Sequence, residues 1–200
     1  MIDVLNELDT QLFLFLNGLN APWLDEPMYQ ISYRYNWVPF YAFLGVLVWM
    51  KYRLRGLWIF LFTGLLITLS DQSANLVKDY FARLRPGHEP EIADLVHLVR
   101  DRRGGRFGFV SGHASNSFAL AAFMIWSLRD RFAWILPLMV FWAVLKSYSR
   151  IYLGVHYPAD VLAGAMLGLF WAWVVYRLHA WLMLRVYPDR CGASLHPGPS

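Results

Sequence analysis

Five apolar stretches, at roughly 28–50, 56–77, 112–128, 132–149 and 158–182, constrain this 200-residue chain more than any other feature. Few polar faces separate them. The chain is 58% hydrophobic and only 16% charged, whereas a soluble domain carries about 25% charged residues. The strictly uncharged runs are often only 14 to 16 residues, short of the ~18–20 that a plain spanning helix needs. Several reach full length only by taking in a polar end: Asp71 with Lys78, Ser111 with His113, Lys146 with Arg150. Ionisable groups at membrane depth are costly unless they face a shared polar interior, so these ends are functional candidates. Lipid offers the backbone no hydrogen bonds, so the expected fold is all-α: an integral membrane helical bundle of five to six transmembrane helices. It forms a single membrane-embedded domain over residues 1–187.

Residues 3–19 form a sixth, weaker segment, with Asp9 as its expected cap and an apolar stripe of Leu12, Phe13, Leu16 and Leu19. The N-terminal region 1–22 is therefore expected to lie in the membrane interface or to span it. Asp3, Glu7 and Asp9 replace the basic start of a cleavable signal peptide. The 188–200 tail reads as disordered. The one cysteine, Cys191, allows neither an internal disulfide nor a cysteine metal site.

Net charge is +4, but the basic residues do not interleave with aromatics on a polar face, so no nucleic-acid partner is expected. They sit in short loops, as in a protein facing anionic membrane lipids. Counting spans puts the loops at 51–55 and 129–131 on one side with the C-terminal tail. That side carries Lys51, Arg53, Arg55, Arg129 and Arg131. The positive-inside rule makes it cytoplasmic. The loop at 79–111 and the turn at 150–157 share the other, extracytoplasmic side, which suits a bacterial inner (plasma) membrane protein.

Three patches stand at span ends on that second side: Lys78 through Arg85 and Pro86, Val110-Ser111-Gly112-His113, and Ser149-Arg150 through His156 to Asp160. Lys78, Arg85 and Arg150 are cations, and arginine holds phosphate oxygens in a bidentate fork. Ser111-Gly112-His113 opens an apolar helix, whose free N–H groups bind anions. His156 and Asp160 are four residues apart, with Pro158 at a first helical turn. Asp160 can then reach one imidazole nitrogen and leave the other free to attack. His113 is suited to protonate a leaving alkoxide. These are the parts of phosphoryl transfer.

K-x6-R-P, S-G-H and S-R-x5-H-x3-D together resemble the three-part signature of the type 2 phosphatidic acid phosphatase superfamily. The match covers about 83 residues, from Lys78 to Asp160. The resemblance implies a helical bundle, a covalent phosphohistidine intermediate, no metal and no cofactor. By motif position, His156 resembles the nucleophile, Asp160 its partner and His113 the general acid. Lys78, Arg85, Ser111, Gly112 and Arg150 resemble the phosphate-binding cradle. Val110 stands where the family usually has proline, a change that alters the turn but removes no phosphate donor.

The remaining polar residues have plainer readings. His88, His97, His179 and His196 show no partner at a telling spacing. Asp71 divides evenly between steadying Lys78 and packing its helix; Lys146 reads more as snorkelling to the headgroups than as lining the pocket. Arg100, Arg102, Arg103 and Arg106 form a solvated run unless the substrate has a large anionic headgroup. Gly104-Gly105-x-x-Gly108 reads as a hinge or turn, because no strand precedes it and the full nucleotide-loop fingerprint is absent. Trp23, Trp37, Trp49 and Trp58 read as interface anchors.

The activity implied is hydrolysis of a lipid phosphomonoester or diphosphate. The substrates that suit the family best are undecaprenyl diphosphate and phosphatidylglycerol phosphate, with lipid A and phosphatidic acid open. Rival readings are a phosphotransferase using a lipid phosphate donor, a relative of the vanadate haloperoxidases, and a lipid-binding protein.

Overall fold

The computed structural model describes residues 2–187, which form seven α-helices: α1 (Ile2–Gly18), α2 (Pro22–Ser32), α3 (Val38–Tyr52), α4 (Gly56–Phe81), α5 (Gly112–Leu128), α6 (Ile135–Tyr152) and α7 (Pro158–Val186). The only strand-like pairing among them is an isolated bridge between Leu84 and Phe107. The all-helical membrane fold expected from the apolar stretches is thus present. Two helical stretches, Arg34–Phe81 and Pro158–Val186, are long and apolar enough to cross a membrane. The tail at 188–200, with Cys191 and His196, lies outside the described residues.

One expected element is wrong. The apolar stretch 28–50 is not one helix: α2 ends at Ser32, a 3-10 turn occupies Arg34–Trp37, and α3 starts at Val38. Pro39 sits in the first turn of α3, where its missing N–H costs nothing. Asn36 Nδ2 donates to the Gln30 carbonyl at 3.0 Å, occupying an acceptor that a continuing α2 would have used. α4 extends past the expected end at 77 to Phe81, which places Lys78 on its last turn. α6 runs on to Tyr152 and so carries both Lys146 and Arg150.

α5 is the centre of the bundle. Ala114, Ala119, Phe123 and Leu128 are fully buried on it, as expected for a helix that is apolar all round. It packs closest against α7. A Cβ placed on Gly164 would collide with the Ser111 carbonyl, and one on Gly168 with the Ser115 carbonyl. Ala172, four residues further, is also fully buried. Small residues every fourth position let two helix backbones approach closely, the usual means of helix association in lipid. Polar ties complete the core: Ser70 Oγ and Ser115 Oγ are 2.7 Å apart, and Trp171 Nε1 donates to Ser73 Oγ at 2.8 Å. On the outside, Leu61, Phe141, Leu162, Met166 and Trp173 are exposed, the surface a lipid solvent requires.

The two ends of the bundle differ. At one, Lys51 pairs with Asp130 and Arg55 lies 4.5 Å over the Tyr187 ring. At the other lie α1, α2, the loop 82–111 and the turn after α6. Here α1 corrects a second expectation. Asp9 does not cap its own helix, which begins at Ile2; it accepts from the Ala159 N–H at 2.8 Å, at the start of α7. Leu12 and Leu19 of the expected stripe are exposed. Phe13 of that stripe is fully buried and Leu16 packs beside it; with Asp9 and Asn17, at helical spacing from Phe13, they make the inward face. Phe13 meets Tyr157 edge-on at 5.3 Å. Asn17 Nδ2 donates to the Ile151 and Tyr152 carbonyls at 3.2 and 2.9 Å, closing the end of α6.

Gly168→Leu is expected to separate α5 from α7 and cost about 1–3 kcal/mol, the usual range for overpacking. Thermal unfolding in detergent measures this; Met166→Leu, on the exposed face of the same helix, should leave the midpoint within a degree or two.

Candidate active site

The three patches arrive at one place by different local devices. α4 closes at Ala82 in the left-handed conformation, and the chain turns back so that Leu84 bridges to Phe107. Within that turn, Arg85 N–H donates to the Arg106 carbonyl at 3.1 Å, and Arg85 Nε to the Phe107 carbonyl at 2.9 Å. The guanidinium is thereby aimed, with its terminal nitrogens left for a ligand. Lys78 Nζ donates to Asn75 Oδ1 at 3.2 Å.

Ser111 caps α5, its Oγ accepting from Ala114 N–H at 3.4 Å, and its own N–H donates to the Asp160 carbonyl at 2.9 Å. Gly112 and His113 fill the first turn of α5, whose dipole end favours an anion. On α6, Arg150 donates to Ser32 Oγ, while its Nε is a buried donor without a partner among the described residues.

His156 lies in the turn between α6 and α7, and Pro158 and Asp160 in the first turn of α7. Asp160 is 0% exposed and His156 1%. Asp160 Oδ2 accepts from Tyr157 N–H at 3.0 Å and lies 3.4 Å from His156 Nδ1. Burial, then the neighbouring cations Arg85, Arg150 and Lys78, hold the His156 imidazole well below the usual histidine range. With Nδ1 facing Asp160, Nε2 is the ring nitrogen left available.

A cavity of about 1000 Å³ is lined by Lys78, Arg85, Gly112, His113 and His156. A second, of about 270 Å³, is lined by His113, Arg150, Arg34 and Arg102. His113 thus stands between the two. Ser111 and Asp160 line neither; one caps α5 and the other backs His156. No three of His, Cys, Asp and Glu among the described residues come together as ligands for a metal ion.

Asp160 is not alone behind the histidine. Arg83 NH1 donates to Asp160 Oδ1 at 2.9 Å, and NH2 to Asp9 Oδ2 at 2.7 Å. The same guanidinium lies 4.1 Å over the Tyr157 ring. Gly108 passes so close that a Cβ there would fall 2.9 Å from Asp160 Oδ2 and 3.1 Å from Arg85 Cγ. The glycine read as a hinge is therefore a close-approach position against the histidine–aspartate pair.

The family model of the PAP2 superfamily matches residues 56–184. The chain belongs to the PAP2 superfamily. It is 42% identical over 192 residues to a lipid A 4'-phosphatase of Bacteroides thetaiotaomicron, covering 94% of this chain and 84% of that one. It is 38% identical over 196 residues to a lipid A 4'-phosphatase of Porphyromonas gingivalis, covering 96% and 80%. Among solved structures, the transmembrane PAP2 type phosphatidylglycerolphosphate phosphatase of Bacillus subtilis aligns with a TM-score of 0.67 at 25% identity, covering 88% of this chain and 86% of that one. The chain is accordingly a membrane protein.

Within this PAP2 site, sequence reading missed Arg83, Asp9 and Gly108. Arg83 lies inside the first patch, and Asp9 lies 74 residues away from it; no spacing rule links them. His97 also has a partner that spacing hid: its Nε2 lies 2.8 Å from Asp25 Oδ1. The arginine run divides. Arg100 pairs with Glu26 at 2.7 Å and Arg103 donates to the Gly87 carbonyl at 3.0 Å, both holding the loop down. Only Arg102 of the run lines the second cavity.

Arg83→Ala leaves Asp160 without its cation and is expected to lower kcat roughly 10²-fold, the scale of a small misplacement of a reacting group. Arg83→Lys should recover part of that loss. Phosphate release by each purified variant measures both, with KM as the check that substrate binding is little changed.

Proposed function

We propose that this chain is a lipid phosphatase that works through a phosphohistidine and needs no metal ion. The observation that carries this reading is the buried His156, whose Nδ1 lies 3.4 Å from Asp160 Oδ2 while the ring lines a cavity walled by Lys78 and Arg85. Nε2 attacks phosphorus, forming the N–P bond as the P–O bond to the lipid breaks. His113 gives its proton to the leaving lipid oxygen. His113 then takes a proton from water, whose oxygen displaces Nε2 and releases inorganic phosphate. Lys78, Arg85 and Arg150, with the Gly112 end of α5, hold the phosphoryl oxygens and offset the charge that builds on them in the transition state. Asp160 keeps the proton on Nδ1 and stabilises the ring as it gains positive character. The roles of Ser111 and Asp160 are indirect: Ser111 fixes the start of α5, and Asp160 the ring.

The substrate is a membrane lipid carrying a phosphate. Sequence alone favoured undecaprenyl diphosphate or phosphatidylglycerol phosphate. The two relatives at 42% and 38% identity are both named for lipid A, and this supports a phosphate on a lipid A-type glycolipid instead. The site faces the extracytoplasmic side of a bacterial inner membrane, opposite the basic turns at Lys51–Arg55 and Arg129–Arg131, which the positive-inside rule assigns to the cytoplasm.

The test is phosphate release by the purified protein in detergent with EDTA present, across lipid A, phosphatidylglycerol phosphate, undecaprenyl diphosphate and phosphatidic acid. Release is expected to persist in EDTA and to vanish in His156→Ala, with lipid A the fastest substrate. A phosphohistidine trapped by acid quench in wild type and absent from His156→Ala would mark the intermediate. Activity lost to EDTA and restored by a divalent cation would overturn the metal-free mechanism.

A further inference from the structure

The small cavity beside His113 carries a charge that the rest of the protein does not offset. Arg34, Arg102 and Arg150 line it with His113, and among the described residues no aspartate or glutamate does. Lys78, Arg85, Gly112 and His156 line only the large cavity, so the small one is more than a corner of the proposed phosphate cradle. Arg150 belongs to that cradle; Arg34 and Arg102 do not. Arg34 lines both cavities and so stands with His113 at their border.

The local structure holds these two guanidiniums in place without neutralising them. Within the run 100–106, Arg100 pairs with Glu26, and Arg103 is turned onto the Gly87 carbonyl. Arg102, between them, has no carboxylate partner among the described residues; its guanidinium lies 5.8 Å from the centre of the Tyr29 ring. Arg34 lies 4.9 Å over the Tyr35 ring and donates to that residue's hydroxyl at 3.2 Å. Tyr29 and Tyr33 stack at 6.3 Å, and Tyr33 meets Tyr35 edge-on at 5.5 Å. One tier of tyrosines at the end of α2 thus supports both arginines. An aromatic face orients a guanidinium but leaves its charge and its N–H fork for a ligand.

Three fixed positive charges around one cavity call for an anion, and the volume limits which. About 270 Å³ lies below the ~300–1,000 Å³ of pockets that take a drug-sized ligand. The large cavity, about 1000 Å³, is the one with room for a lipid. Arginine forks match pairs of phosphate oxygens. Resting on the lipid-phosphatase reading above, we propose that the small cavity is a second phosphate subsite, held by Arg34 and Arg102 and joined to the cradle at His113 and Arg150. The phosphate it takes comes from one of two sources: a second phosphate on the substrate's headgroup, or the inorganic phosphate that the reaction releases.

The experiment uses the full chain purified in detergent, with Arg34→Gln and Arg102→Gln, both at exposed positions that folding does not depend on. Phosphate release is measured from phosphatidic acid, which has one phosphate, and from lipid A with two, with and without added inorganic phosphate. For a headgroup source, KM for lipid A rises about tenfold in each variant, the low end for a charge-assisted hydrogen bond, while KM for phosphatidic acid is unchanged. For a free-phosphate source, both KM values are unchanged. Wild type then shows inhibition by phosphate that excess phosphatidic acid does not relieve, and each variant weakens that inhibition by a similar factor. KM values for both lipids that rise together mark a general positive field and overturn the subsite. Variants that match wild type in all of these readings overturn it as well. Loss of release in His156→Ala keeps the phosphatase reading standing in either case; release that survives His156→Ala would fail that reading, and this one with it.

Discussion

The close approach of α5 and α7 is the contact on which the rest of the site depends. Gly164 and Gly168 leave room for the Ser111 and Ser115 carbonyls to lie against the α7 backbone. The Ser111 N–H reaches the Asp160 carbonyl only because the two helix starts sit side by side. In lipid, no hydrophobic force pushes helices together, so packing without side chains in the way has to hold them. Once those two helix starts are locked, His113 on one and the His156–Asp160 pair at the other cannot move independently. The distance between the proposed acid and nucleophile is thus set by backbone against backbone, the least compliant kind of contact.

Charge is distributed around that contact in a way that matters in a medium of low dielectric. Asp160 and Asp9 share Arg83, so the buried carboxylate behind His156 is matched by a cation held at two points. A carboxylate buried without such a partner would be strongly destabilising. On the cavity side, Lys78, Arg85 and Arg150 make no ion pair among the described residues, and Arg150 retains an unpartnered Nε. One side of the histidine is balanced within the protein, and on the other the three cations have no carboxylate partner among the described residues. The N-terminal helix belongs to the balanced side. Asp9 both holds Arg83 and caps α7, so α1 forms part of the site's support and is not merely an anchor.

Legibility in the sequence followed the range over which each residue acts. His156 and Asp160 are one helical turn apart, and a turn is a local object that spacing describes. The grouping of three motif patches at one membrane end followed from counting spans. The expected helix over 28–50 failed because a proline and an asparagine broke it at a point where hydrophobicity alone saw continuity. The Gly164-x3-Gly168 pattern was present in the sequence, yet small residues signal an interface only once a facing helix is known. Asp71 was evenly balanced between two roles until Asn116, 45 residues on, came to rest against it.

By itself the sequence determined that this is a helical membrane protein of the PAP2 superfamily, with its motif residues gathered at one end. Apolar content fixes the solvent, and reactive residue types at fixed short spacings fix the chemistry. Only the tertiary structure decided that Arg83 and Asp9 stand behind Asp160, and that Gly108 has to lack a side chain. Each of these depends on which atoms of distant segments meet. That is settled by the packing of whole helices, and no local pattern of residues records it.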